Sequence, residues 1–244
     1  MITRKAILIG APSVESFLPG VVTDVKSMKN FLMSTTGGAW KENEITTLID
    51  RPSKVVMQHI ESAKDSDYVF IMCAGHGQHE VRGSLDETAI FLTENETLSI
   101  NKINPKNKRH FVLVDVCRNV TQMLDSTETL LKGAMESYSS ADKFNYREAF
   151  DAAIMKCSEG RIVAYSCDIN QSAGEDSSGG LFTQSLISSS DAFLPTNGAS
   201  HGIINIKQAF ERAKEKTYER GAPQSAVLNA GRRLDFYPFA IITK

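Results

Sequence analysis

The chain has 244 residues, of which 41% are hydrophobic, and its 27 basic and 29 acidic residues give a net charge of −2. This length and composition suit one large α/β domain and exclude intrinsic disorder. The even charge balance argues against a dedicated nucleic-acid binder, and no apolar run reaches the roughly 18 residues of a membrane-spanning helix. We therefore expect no nucleic-acid partner and no membrane partner.

The N-terminal apolar stretch extends only from Ala6 to Ile9, which is too short for a signal peptide and predicts a first strand instead. Four cysteines, at positions 73, 117, 157 and 167, are spread through the chain. Dispersed cysteines without a predicted secretion signal indicate a cytoplasmic protein without a disulfide framework.

Short apolar runs alternate with amphipathic stretches along the chain, which is the main clue to the fold. Apolar residues at 21, 25, 28 and 32 recur at helical steps, and Gly37-Gly38 is predicted to end that helix. Strands are predicted at 5–10, 44–50, 68–74, 87–93 (a hairpin or edge strand), 110–117 and 161–167, with a last strand pair within 225–242. Further helices are predicted at 52–64, 146–156, 181–189 and 205–219. This alternation predicts an α/β fold with a mostly parallel sheet of about six strands and helices on both faces.

Ligands of open α/β sheets bind beyond the carboxyl ends of the strands, so the residues there are the candidates for chemistry. The first strand is followed neither by a G-x-G-x-x-G motif nor by a P-loop. The three central strands end in CAGHG (73–77), DVCR (115–118) and SCD (166–168). The sequence thus places a histidine, a cysteine and acids at one edge of the sheet.

His76 stands between two glycines, which leave its ring uncovered and let a ligand approach closely. Cys117 taken alone is typical of core cysteines, because the free thiol packs as a small hydrophobic group. The strands that carry His76 and Cys117 are expected to be neighbours, so the two residues would face each other at one edge. A thiol beside an imidazole is the smallest arrangement that yields a thiolate nucleophile.

Asp115 interrupts the apolar run FVLVDV (111–116), where a buried carboxylate is costly without a partner. Side chains two positions apart on a strand share a face, so Asp115 should point to the same side as Cys117. A buried acid at this position indicates a site for a cation. The alternative is a structural carboxylate paired with Arg118 or Arg109.

The spacing Cys73-x-x-His76-x-x-His79 resembles that of zinc ligands. A structural zinc site needs a fourth partner and paired C-x-x-C elements, which this sequence lacks. Cys73 and His76 would also lie on opposite faces if the strand continued. We therefore expect no metal at this position.

The order and strand context of these motifs resemble the caspase-like cysteine proteases of peptidase family C14, specifically the metacaspase and orthocaspase branch. The similar segments are LPGVVTDVKSMKNFL (18–32), YVFIMCAGHG (68–77), FVLVDVCR (111–118), YSCDINQSAGE (165–175) and, within 222–242, AP-Q and FYPFAI. The resemblance covers most of the chain. It implies a single caspase-like protease domain over residues 1–244, and a bacterial source is expected.

The resemblance implies that Cys117 is the nucleophile and that His76 is the general base and acid, with no third catalytic residue. It also places the backbone N–H groups of Cys117 and Gly77 in an oxyanion hole, which contributes about 3 kcal/mol to such reactions. The implied substrates are proteins or peptides. An activating or inhibitory protein partner is a further expectation from the family.

The resemblance also implies the specificity. In animal caspases a glutamine two residues before the cysteine helps to select aspartate, whereas this chain has Asp115 there, as metacaspases do. Asp24 corresponds to the second acid of the S1 pocket, and Asp168 lies near the pocket in the family's layout. Acids that share a pocket attract a basic group, so cleavage is expected after Arg and less well after Lys. Ala74 departs from the pattern, because metacaspases often have a serine there that contributes to the pocket.

Many metacaspases need calcium, and Asp86 and Glu87 lie where the family has calcium ligands. The residues around them do not complete a ligand set, so we expect no cofactor and keep calcium activation as an open alternative. Region 121–157 corresponds to the family's linker or activation segment. Lys132, Lys143 and Arg147 are compatible with self-cleavage there, although an ordinary surface linker explains them equally well.

A catalytically silent caspase-fold module that binds a peptide or protein partner is the alternative function. Such modules usually lose the cysteine or the histidine of the dyad. Retention of both residues, together with the pocket acid, favours the enzyme.

Overall fold

The computed structural model describes residues 2–82, 85–120, 144–176, 178–196 and 198–244. Its strands are β1 (Arg4–Ala11), β2 (Ile45–Ile49), β3 (Tyr68–Gly75), β4 (Gly77–Arg82), β5 (Leu85–Thr93), β6 (Glu96–Ser99), β7 (Arg109–Val116), β8 (Gly160–Tyr165), β9 (Glu175–Asp176), β10 (Gly179–Gly180), β11 (His201–Asn205), β12 (Val227–Asn229) and β13 (Pro238–Thr243). Its helices are α1 (Pro19–Met33), α2 (Ser53–Glu61), α3 (Tyr146–Lys156), α4 (Leu181–Ile187) and α5 (Ile206–Glu219).

The central sheet has six strands in the order β12-β8-β7-β3-β1-β2. All neighbouring pairs are parallel except β12 with β8. This confirms the expected α/β fold with a mostly parallel sheet. The carboxyl ends of β1, β3, β7 and β8 therefore meet at one edge, where the sequence placed its candidate residues.

Both faces of the sheet are covered, because the inner strands are apolar on both sides. On β1, Ala6 and Leu8 point to a core shared with α1, α3, α4, α5 and β13. Ile7 and Ile9 point to a second core, which α2 and strands β5 and β6 cover. Helices thus lie on both faces, as predicted, and a three-stranded antiparallel sheet, β4-β5-β6, covers part of the second one.

Two elements differ from the sequence prediction. The expected pairing of the last two strands is wrong, because β12 pairs with β8 while β13 pairs with β11, a five-residue strand without a clear alternating pattern. Helix α1 ends at Met33 rather than at Gly37-Gly38. The chain turns at Ser34, whose backbone is extended and whose hydroxyl donates to the carbonyl oxygen of Phe31.

Candidate active site

The register of β3 and β7 brings the two candidate dyad residues to the same edge of the sheet. The last register pair joins Gly75 to Val116, and His76 and Cys117 each follow one residue later. Gly75 has a φ of +151°, and a side-chain carbon there would lie 2.9 Å from the carbonyl oxygen of Ala11. Glycine is thus required where β3 passes β1 and turns into His76.

The imidazole of His76 is held by the loop between β1 and α1. Its Nε2 lies 3.1 Å from the carbonyl oxygen of Ser16 and 3.2 Å from the Ser16 hydroxyl oxygen. A carbonyl oxygen only accepts hydrogen bonds, so Nε2 carries the proton and Nδ1 has the free lone pair in the neutral ring. The sequence contained no signal for Ser16, because the contact joins residues 60 positions apart.

Cys117 is half-buried, and the backbone N–H of Ala173 and the hydroxyl of Ser172 lie near enough to its sulfur to act on the pKa of the thiol. Burial raises the pKa of the thiol, and the acids Asp115 and Glu175 raise it further, whereas the two donors lower it. The net result is a raised pKa, so the resting sulfur is held as a thiol. Ser172 and Ala173 lie in a segment that the sequence resemblance included, but no role was predicted for them.

Asp24 and Asp115 are both buried, at 2% and 6% exposure, and are bound by neutral donors. The backbone N–H of Gly180 donates to Asp24 Oδ2 at 2.8 Å, and Gln184 Nε2 donates to Asp24 Oδ1 at 2.7 Å. Thr183 donates to Asp115 Oδ2 from its hydroxyl at 2.5 Å and from its backbone N–H at 3.2 Å. Strand β10 and helix α4 thus bring the two carboxylates to one place.

Gly180 lies next to both acids. A side-chain carbon there would lie 2.6 Å from Asp115 Oδ2 and 2.9 Å from Asp24 Oδ2, so only glycine lets both carboxylates approach. Burial raises the pKa of Asp24 well above its ordinary value, and Asp115 and Glu175 add to that shift. Burial also raises the pKa of Asp115, against the hydrogen bonds from Thr183. Within the described part of the chain, neither carboxylate has a Lys, Arg or His at ion-pair distance.

Asp168 is placed differently from the other two predicted S1 acids. Its side chain is 54% exposed and lies 3.8 Å from Arg118. Arg118 also donates to Thr88 and to the carbonyl oxygen of Cys167, while Arg109 donates to the carbonyl oxygen of Cys157. The contacts of Asp168 are thus with Arg118, and the alternative pairing of Asp115 with Arg118 or Arg109 is wrong.

The candidate metal ligands are used in other contacts. Among the described residues, no group of three or more His, Cys, Asp or Glu side chains could hold a metal ion. Cys73 is fully buried, and burial raises the pKa of its thiol to about 12. Asp86 lies 2.9 Å from His79 Nε2, and Glu87 accepts a hydrogen bond from Ser99.

The predicted linker region is described only in part. Lys132 and Lys143 lie outside the described residues. Residues 146–156 form helix α3, and Arg147 on that helix binds the carboxylate of Glu44 through two hydrogen bonds. An ordered helix and a bidentate ion pair make Arg147 a poor cleavage point.

Comparison with known proteins shows the family. The Caspase domain model, Peptidase_C14, matches residues 3–229, which is most of the chain. The chain belongs to this peptidase family. Among solved structures, caspase-1 from Spodoptera frugiperda is similar in fold, with a TM-score of 0.59 and 11% identity over 95% of this chain and 90% of that chain. No curated protein sequence matches. No helix in the described ranges is long and apolar enough to cross a membrane.

Proposed function

We propose that this caspase-family chain is a cysteine endopeptidase of the metacaspase type that cleaves peptide bonds after Arg, and less efficiently after Lys. The observation that carries the proposal is the pair of buried carboxylates, Asp24 and Asp115, on one side of Gly180. Two acids held together without a cation in the described chain repel each other, and a basic side chain relieves that repulsion.

Arg fits this pair better than Lys does. A guanidinium presents several N–H groups in a plane and can donate to both carboxylates at once, whereas an ammonium is a compact point charge. Asp24 and Asp115 have raised pKa values, so binding of the basic side chain shifts them toward the ionised form and releases protons. An acidic P1 residue would add a third negative charge to the pocket.

In the proposed reaction, Nδ1 of His76 takes the proton from the Cys117 thiol, and the sulfur attacks the carbonyl carbon of the scissile bond. The backbone N–H groups of Gly77 and Cys117 are the proposed donors to the oxyanion. The imidazolium then protonates the leaving amine, which leaves a thioester on Cys117. His76 next takes a proton from water, whose oxygen attacks the thioester and regenerates the thiol.

This role for His76 is supported by its contact with Ser16. The Ser16 carbonyl oxygen 3.1 Å from Nε2 fixes the ring so that Nδ1 has the lone pair that accepts the proton. The same carbonyl stabilises the imidazolium once it forms, because it accepts from the Nε2 proton. The dyad thus needs no carboxylate to orient its histidine.

Fluorogenic peptides that differ only at P1 test the proposal. We expect turnover with Arg, slower turnover with Lys and none with Asp, and Cys117→Ala should lower the rate by about four orders of magnitude with its fold intact. Binding of the Arg peptide without turnover by the wild-type chain would instead identify the peptide-binding module. Preferred cleavage after Asp would contradict the pocket assignment.

A further inference from the structure

A cluster of buried polar side chains joins strand β4 to the residue that follows Cys117. We call it the polar cluster, and its members are His79, Thr88 and Arg118, all of which are buried. His79 on β4 pairs with Thr88 on β5 in the antiparallel register, so their side chains share one face of the β4-β5-β6 sheet. None of the three side chains takes part in the proposed reaction.

The hydrogen bonds within the polar cluster have a fixed direction. Arg118 donates through Nε to Thr88 Oγ1 at 2.9 Å, and an arginine nitrogen can only donate. The Thr88 oxygen therefore accepts, and its hydroxyl proton is directed to His79 Nδ1, which lies 3.1 Å away. In the neutral ring the remaining proton lies on Nε2, which faces Asp86 Oδ1 at 2.9 Å. Removal of the Thr88 hydroxyl would leave a buried donor and a buried acceptor without their partner.

Arg118 is fixed on its other sides as well. Its Nη1 donates to the carbonyl oxygen of Cys167 at 3.2 Å, and its guanidinium lies 4.2 Å from the centre of the Tyr165 ring. Its backbone N–H donates to the carbonyl oxygen of Gln171, and its carbonyl oxygen accepts from the N–H of Asn170, both at 2.9 Å. The chain directly after the proposed nucleophile is therefore held through both its backbone and its side chain.

The two proposed oxyanion donors belong to the two segments that the polar cluster connects. Gly77 is the first residue of β4, two positions before His79. The other donor, Cys117, directly precedes Arg118. A side-chain carbon at Gly77 would lie 2.6 Å from Val116 Cγ2, so β4 begins in close contact with the end of β7. The polar cluster therefore lies where it can fix the distance between the two N–H groups.

We propose that the polar cluster positions the oxyanion hole by fixing the spacing between the N–H groups of Gly77 and Cys117. The proposal rests on the proposed role of these two groups in peptide cleavage. Oxyanion donors act when they lie about 2.7–3.1 Å from the position that the developing negative charge occupies. A change in their spacing weakens binding of the transition state and leaves binding of the substrate intact, so the polar cluster should affect kcat rather than KM.

Steady-state kinetics with an Arg peptide test this proposal on the full chain. Thr88→Val keeps the shape of the side chain but removes the hydroxyl that joins His79 to Arg118. It should lower kcat by roughly ten- to hundredfold and change KM by less than ~2-fold. Thr88→Ser retains the hydroxyl and should restore most of the wild-type kcat. Arg118→Lys keeps the charge but lacks the planar group that donates to both Thr88 and Cys167, so it should resemble Thr88→Val.

Alkylation of Cys117 by iodoacetamide separates an effect on the oxyanion hole from an effect on the nucleophile. This reagent reacts at a methylene carbon and forms no oxyanion, so its rate should stay within about twofold of the wild-type rate in every variant. Thr217→Val is the matched control, because it removes another buried hydroxyl, which donates to Ala213 within α5, and it should leave kcat unchanged. Thermal unfolding identifies the temperature at which all variants are folded and can be compared.

The outcomes distinguish the role of the polar cluster from the proposed peptidase. Wild-type kcat in folded Thr88→Val and Arg118→Lys, or an equal loss of alkylation, would overturn the positioning role and leave the peptidase in place. A wild-type chain that cleaves no peptide would overturn both proposals. If Thr88→Val does not fold, the kinetics of Arg118→Lys and Thr88→Ser decide the same question.

Discussion

Two groups of buried charged residues lie at opposite ends of the central sheet, and they differ in how their charges are balanced. At the amino end of β1, Arg4 lies 3.3 Å from Asp151 and 3.8 Å from Glu44. Arg147 binds the same two acids, so two cations face two anions. At the carboxyl end, Asp24 and Asp115 have only neutral donors among the described residues.

We interpret this difference as that between a structural group and the proposed substrate pocket. Burial lowers the pKa of Arg4 to about 10, and the nearby carboxylates oppose that shift, as expected of an ion pair completed within the fold. The pKa of Asp24 is instead raised by burial and by the acids next to it. A fold tolerates such unbalanced charge at a site where a ligand brings the missing partner.

Removal of Arg4 should have the largest effect on stability. Arg4→Met leaves Asp151 and Glu44 buried without this cation and also removes hydrogen bonds to the carbonyl oxygen of Gly38. We expect a loss of about 3–5 kcal/mol in the free energy of unfolding, measured by urea denaturation. Lys29→Met, which breaks the exposed pair with Glu42, is the matched control and should change little. Equal losses in both variants would show that the group at Arg4 is not a balanced structural unit.

Removal of Asp115 should affect cleavage rather than folding. Asp115→Ala takes one of the two carboxylates from the pocket and should lower kcat/KM for an Arg peptide by about 10²- to 10³-fold. The hydroxyl and the backbone N–H of Thr183 lose their acceptor, but a buried carboxylate with a raised pKa is removed at the same time, so the unfolding midpoint should stay near that of the wild type. Asp67→Ala, which removes an acid bound to Thr3, serves as the control. Full Arg cleavage by Asp115→Ala would contradict the pocket assignment.

Neutralisation of Asp24 should stabilise the chain. The folded-state pKa of Asp24 is raised, so the folded protein keeps a proton that the unfolded chain releases, and stability is lost as pH rises through the raised pKa. Asparagine does not ionise, so Asp24→Asn removes the stability loss that comes with ionisation of Asp24. We expect the free energy of unfolding to rise by about 1–2 kcal/mol above neutral pH and to be unchanged at acidic pH. Rotation of the Gln184 amide can accommodate the new NH2 group.

The matched variant for this test is Glu44→Gln, in the balanced group. Glu44 lies within ion-pair distance of both Arg4 and Arg147, and its contacts lower its pKa against the effect of burial, so its neutralisation should destabilise the fold. Denaturation of both variants at several pH values checks the contrast. A change of the same sign in both would contradict the distinction between the two groups.

Asp168 should give the smallest effect. Its exposed carboxylate pairs with Arg118, so Asp168→Ala should change Arg cleavage by less than ~3-fold. If Asp168→Ala lost as much Arg cleavage as Asp115→Ala does, Asp168 would be part of the S1 pocket, as the family resemblance implies. Steady-state kinetics with the same Arg peptide distinguish the two results.

Sequence patterns predicted the parts of this molecule that depend on strand periodicity. The apolar runs of β3 and β7 indicated buried neighbouring strands, and their last residues indicated where His76 and Cys117 would lie. The break in apolarity at Asp115 indicated a buried acid for the same reason. Each of these inferences needs only the alternation of a strand and the geometry of a parallel sheet.

The contacts that depend on loops could not be predicted in this way. Ser16 contacts His76 from a loop in which Glu15 has a φ of +58°. The sequence of that loop does not predict this backbone conformation. Asp168 was placed by analogy of layout, but its ion pair with Arg118 depends on where that loop turns.

Profiling of cleavage sites in a proteome-derived peptide pool by mass spectrometry tests the central claim most directly, because it reports activity and P1 preference together. The wild-type chain should produce peptides that end in Arg, with fewer in Lys, and Asp115→Ala should lose that preference. Products that end in Asp, or an Arg preference unchanged in Asp115→Ala, would contradict the claim that the buried acid pair selects a basic side chain.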